Sequence, residues 1–198
     1  MPYCDCNTPA ALASIANTCI FDTSDIQRAG IRRTGNGAAA DVATFKTAAY
    51  WTPLLSAVNS TKVIFTPNMW ETDFPQGEIS TEPGYDGTEE AYGSNAIVIT
   101  GHYRGISGAA WTALNALSCE PSLEIMFVTT SGNLVADNNG DAPTFFGIKG
   151  KYSIGAMGKG QNSSYRTPFR FTLPANWAKE IQVYTPTDFS ALSFLVNP

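Results

Sequence analysis

Along most of this chain the apolar positions fall in short runs bounded by Gly, Pro, Asn and Asp, the length of strands rather than helices. Residues 26–33 set Arg28, Arg32 and Arg33 among Ile26, Ala29 and Ile31, and Gly30 disfavours a helix there. Strands are also expected over 62–66, 95–104 and 122–130. The last of these runs into a turn, Ser131-Gly-Asn133, and a short return strand over 134–136. Two further strands are predicted over about 143–154 and 164–173, joined by the glycine-rich tip 155–160, and a final one over 178–184. In 164–173 the residues Arg166 and Arg170 alternate with Phe169 and Phe171, which predicts one basic and one aromatic face.

Helical spacing is scarcer. Ser107 followed by Ala110, Trp111, Leu114 and Leu117 has the 3.6-residue period behind an N-cap, the clearest helix in the chain. Asp41 caps a short helical stretch to about Ala49, and Thr52-Pro53 reads as a second start, with Thr52 as N-cap and proline at the first position. Thr187 is expected to cap a C-terminal helix over 187–195. The expected architecture is mainly β: a sandwich or barrel of about six or seven strands with one flanking α-helix. An extended arm, 1–25, precedes a single domain, 26–198.

Charge changes this picture. Between Lys62 and Arg104 there is no Lys or Arg, and seven of the 17 acids lie there: Glu71, Asp73, Glu78, Glu82, Asp86, Glu89 and Glu90. They fall in what reads as a long loop, 69–93, and compact domains rarely keep such a loop without a use for it. Between Asp141 and Glu180 there is no acid, while Lys149, Lys151, Lys159, Arg166 and Arg170 all fall there. One segment is purely acidic and another purely basic. Chance and solvated faces explain such segregation as readily as a contact in which the acidic loop of one subunit meets the basic hairpin of the next. The charged share of the chain is 15%, low for a soluble domain, so partners rather than water are expected to cover much of the surface. A net charge of −5 argues against binding nucleic acid through a basic face.

Other candidate chemistry reads weakly. Cys4 and Cys6 could supply half a metal site, but Cys19 and Cys119 are no second pair and His102 is the one histidine, so reduced, non-catalytic thiols and no metal or cofactor are expected. His102 lacks a nucleophile motif around it and reads as structural. Asp137-Asn-Asn-Gly-Asp141 lacks the downstream glutamate of a calcium loop, and Gly155-Ala-Met-Gly-Lys-Gly160 lacks the ending of a phosphate loop. The acids over 71–90 beside Trp70, Tyr85 and Tyr92 suggest a carbohydrate-binding or hydrolytic site, but their crowding into one loop is more simply read as solvated charge. No apolar run reaches the length of a membrane span, and the N-terminal sequence lacks the pattern of a signal peptide, so synthesis in the cytoplasm is expected.

The succession Trp51-Thr-Pro-Leu-Leu-Ser-Ala-Val, Lys62-Val-Ile-Phe-Thr-Pro67 and the acidic loop resembles the tail tube (major tail) proteins of tailed bacteriophages. The strand over 95–104 leading into the Ser107 helix, the hairpin Phe127-Val-Thr-Thr-Ser-Gly-Asn-Leu134 and the ending Pro186-Thr-Asp-Phe-Ser-Ala-Leu192 extend the likeness over roughly residues 41–195. The resemblance implies an orthogonally packed β-sandwich without catalytic residues. It further implies six-fold rings, stacked through a long loop and terminal arms into a tube that conducts the genome without binding it specifically, alongside other tail proteins and in the virion. The acidic loop then either lines the lumen, where like charge repels passing DNA, or bridges stacked rings. The alternatives are another virion component, such as a tail-completion or capsid-associated protein, and the carbohydrate-directed β-sandwich.

Overall fold

The computed structural model describes residues 26–35, 41–75, 79–83, 89–137, 147–159, 165–175, 177 and 181–196, with backbone alone for 79–83, 89–94 and 159. The N-terminal arm, with Cys4, Cys6 and Cys19, and the turn from Asn138 to Asp141 lie outside the described residues. Among the described residues no helix is long and apolar enough to cross a membrane.

The fold is mainly β, as expected, with all strand pairing antiparallel and the main sheet left open rather than closed into a barrel. Its centre is β7 (Leu123–Thr129), flanked on one side by β1 (Ile26–Arg33) and on the other by β8 (Leu134–Asp137) and the start of β9 (Ile148–Ile154). β12 (Ile181–Tyr184) extends the sheet beyond β8, and the two-residue β2 (Ile64–Phe65) beyond β1. β9 then changes partner. Its residues 148–150 pair with β7, whereas 151–154 pair with β11 (Tyr165–Leu173). From β11 a second half-sheet runs through β6 (Ile97–Arg104) to β3 (Met69–Asp73).

The two halves pack face to face, with Phe127 and Phe171 in edge contact at 6.0 Å. Alternation along β7 explains why its sequence is apolar almost throughout. Leu123, Ile125 and Phe127 point between the halves, while Met126 and Val128 point to a second core under the helices. That second core holds Trp51, Phe65, Leu134 and Tyr184, all buried. Each fully buried side chain of this size is worth about 1.5–3 kcal/mol relative to exposure, so the helix layer is a second source of stability.

The helices depart from expectation in instructive ways. α1 (Val42–Phe45) starts on Asp41, whose carboxylate accepts from Thr44 N at 2.6 Å. α2 (Ala48–Ser56) begins five residues earlier than expected, with Thr47 rather than Thr52 at the N-cap position, and carries Pro53 inside it. The pull is tertiary: Tyr50 and Trp51 are buried, Trp51 Nε1 donates to Phe45 O, and the remote Asp188 caps Ala48 N at 2.8 Å. α3 (Gly108–Leu117) is as expected, with Ser107 Oγ accepting from Ala110 N. The C-terminal helix is shorter than 187–195: α4 covers only Ala191–Phe194. Thr187 hydrogen-bonds Lys46 O instead of capping it, and Arg28 draws the carbonyls of Leu192 and Leu195 to its guanidinium.

The stretch 69–93 is not an irregular loop. It contains β3, which joins the second half-sheet, and a hairpin of β4 (Ile79–Pro83) and β5 (Glu89–Ser94). Among the described strands the hairpin pairs only with itself. Residues 155–159 are likewise structured: Gly155 N donates to Pro168 O, and β10 (Gly158–Lys159) pairs with the start of β11.

Candidate functional site

The outer face of the second half-sheet follows from strand alternation. Phe169 and Phe171 on β11 point into the core, so Arg166, Pro168 and Arg170 point away. On β6 the same logic sends Ile99 and Tyr103 inward and Thr100, His102 and Arg104 outward. β9 adds the exposed Lys151, and β3 adds Trp70. The expected basic-and-aromatic division of residues 164–173 is therefore present.

Register then brings the cations together. Arg166 is the direct partner of Arg104, Pro168 of His102 and Arg170 of Thr100. Two guanidiniums opposite one another repel, and a single carboxylate answers both. Glu71 Oε1 lies 3.2 Å from Arg104 Nη2, and its Oε2 lies 3.4 Å from Arg166 Nη1 and 3.6 Å from His102 Nδ1. Glu71 reaches this position with φ at +52°, the left-handed region that costs a residue with a side chain about 1–2 kcal/mol. It sits at the irregularity where the β3–β6 pairing shifts between Trp70 and Asp73.

The remaining contacts favour a neutral histidine. Arg104 Nε donates to His102 Nε2 at 3.3 Å, and the ring's Nδ1 faces Glu71. Burial holds the His102 ring below its ordinary value; the Glu71 carboxylate pulls it up, and Arg166 and Arg104 press it further down. Arg104 also lies over the Trp70 indole, 4.3 Å from the ring centre, a cation–π contact on a half-exposed ring. Arg166 Nε is buried without a hydrogen-bond partner. Beyond Arg166 a shallow groove of about 360 Å³ runs past Thr100, Ser153, Pro168 and Arg170.

Of the acids singled out in the sequence, Glu71 joins this cluster and Asp73 is exposed opposite Thr100. Glu82, Glu89 and Glu90 are strand residues of the self-paired hairpin, with Glu82 directly opposite Glu90. Glu78 and Asp86 lie outside the described residues, as does Tyr85. Of the cations, Arg166, Arg170 and Lys151 share the outer face, Lys149 stands opposite Glu124, and Lys159 is in β10. Nothing local in the sequence joins Trp70, His102 and Arg104 to Glu71 and Arg166. The usable signal was the spacing of His102 and Arg104, two apart on one strand like the alternating arginines of 164–173.

Among the described residues no group of three or more His, Cys, Asp or Glu could hold a metal ion. Cys119 is an exposed free thiol at the end of α3. The cluster can hold carboxylates and other anions through paired guanidiniums, a fork geometry suited to bidentate contacts. The chain matches no protein-family model and no curated protein.

Proposed function

We propose that this chain is a self-assembling virion subunit, the tail tube protein of a tailed bacteriophage, in which stacked six-fold rings form the conduit for genome ejection. The observation that carries the reading is the β4–β5 hairpin. A two-stranded ribbon is marginally stable alone in water, and this one hydrogen-bonds to no other described strand. It also sets Glu82 directly opposite Glu90 in a pairing where like charges are unfavourable. A surface of a second subunit would stabilise an element of that kind.

Three further features support assembly. The chain's charged fraction is low, a large open sheet carries an exposed outer face, and the acidic and basic segments are complementary. A net negative subunit also suits a channel for DNA, because like charge keeps the passing polyanion off the wall. The rival carbohydrate-directed reading leans on Trp70 as a stacking platform, but Arg104 already covers a face of that ring.

Sedimentation velocity across a concentration series tests the proposal. Closed oligomers growing to long assemblies are expected. A chain that stays monomeric at every concentration and retains glycans would contradict it.

A further inference from the structure

We infer that the Trp70–Arg104–Arg166 patch is the landing site for the β4–β5 hairpin of a second copy of this chain, and that Glu71 occupies it in the free subunit. The inference rests on the self-assembly reading and adds to it the surface on which the arm docks.

The patch has the composition of an interface centre. Trp70 is 44% exposed, and Arg104 lies over its ring. Trp, Tyr and Arg are the residues that dominate binding energy at protein interfaces. With His102 neutral, Glu71 leaves the Arg104–Arg166 pair with an excess positive charge. Arg170 and Lys151 extend the same face, with Arg170 opposite Ser153 and Thr172 opposite Lys151 in the β9–β11 register. Arg166 Nε still lacks an acceptor.

The occupant is identified by charge. The hairpin places Glu82 across from Glu90 and Pro83 across from Glu89, an arrangement that a cationic surface relieves. Glu71 resembles that ligand in miniature. Its side chain is more than half exposed, and its backbone is held in the left-handed region while it contacts both guanidiniums. An incoming glutamate that reaches the same guanidiniums displaces it, so docking exchanges one carboxylate for another and leaves no buried cation unpaired. In the free subunit Glu71 lowers the affinity of the patch for other anions and so restrains premature association.

Charge exchange between full-length variants tests this. Arg104→Glu with Arg166→Glu, and separately Glu89→Lys with Glu90→Lys, are each expected to weaken self-association at least about tenfold in sedimentation equilibrium, and mixing the two is expected to restore it. Glu71→Gln, which removes the competing charge, is expected to tighten self-association about two- to fivefold, the range that exposed ion pairs supply. If both reversed variants associate like the wild type, or the mixture fails to recover, the landing site is wrong while assembly itself stands. A wild-type chain that never associates overturns both. Should thermal melting show that a reversed variant does not fold, Glu71→Gln decides alone: association unchanged or weakened by it overturns the inference.

Discussion

Arg166 and Arg104 stand directly opposite one another on neighbouring strands, and Glu71 bridges them from a third. The bridge is made by a residue with φ at +52°, so two opposed effects meet at one position. Replacing Glu71 with alanine removes the ion pairs and keeps the backbone cost. Replacing it with glycine removes the same ion pairs and relieves that cost. Glu71→Gly is therefore expected to be more stable than Glu71→Ala by about 1 kcal/mol, after the greater chain entropy of glycine is allowed for. Urea unfolding of the two variants measures the difference, and an alanine variant as stable as the glycine one would remove the strain argument.

Gly101 is set by packing rather than by backbone conformation. A Cβ there would lie 2.6 Å from Phe169 Cζ and 3.1 Å from Trp70 O. Gly101→Ala is expected to cost about 1–3 kcal/mol through overpacking. Combining it with Phe169→Leu, which clears the ring atoms, is expected to cost less than the sum of the single changes. Strict additivity in a double-mutant cycle would show that the ring does not limit the site.

His102 links stability to pH. Its ordinary value is 6.5, and burial lowers it in the folded protein. Between those two values the unfolded chain binds more protons than the folded one, so stability falls as pH drops from about 6.5 through the folded value. The wild type is expected to lose stability between pH 7 and pH 5, and His102→Gln to lose less over the same interval. Urea midpoints at the two pH values give the comparison. Equal losses in both proteins would mean that the histidine does not carry the effect.

Ser107 caps α3 through its hydroxyl, and nothing else in the first turn replaces it, since no acid lies there. Ser107→Ala is expected to destabilise the protein by about 1 kcal/mol, and Ser107→Asp to leave stability near that of the wild type. Thermal melts of the two variants distinguish a cap from a merely exposed serine.

These relationships also show what was legible in the sequence. β7 and β8, α3 behind Ser107 and the two-faced β11 announce themselves because their period, cap or turn is local. The start of α2 was hidden, since the groups that draw the helix back to Ala48 are the core around Trp51 and a carboxylate 140 residues away, Asp188. The β4–β5 hairpin was hidden for the opposite reason. Its strands lack apolar alternation, carry Pro83 and pair glutamate with glutamate, so local preference reads as loop. Within the cluster, the cations of β11 could be read from alternation, but their meeting with Arg104 and Glu71 depends on register between strands 62 residues apart at Arg104 and Arg166. No single-strand pattern contains that information.

Negative-stain electron microscopy of the purified protein at high concentration tests the proposal that copies of this chain build a tube. Six-fold rings in end view and stacked tubes of uniform width in side view are expected. A field of single, unassociated particles at every concentration and salt condition would contradict it.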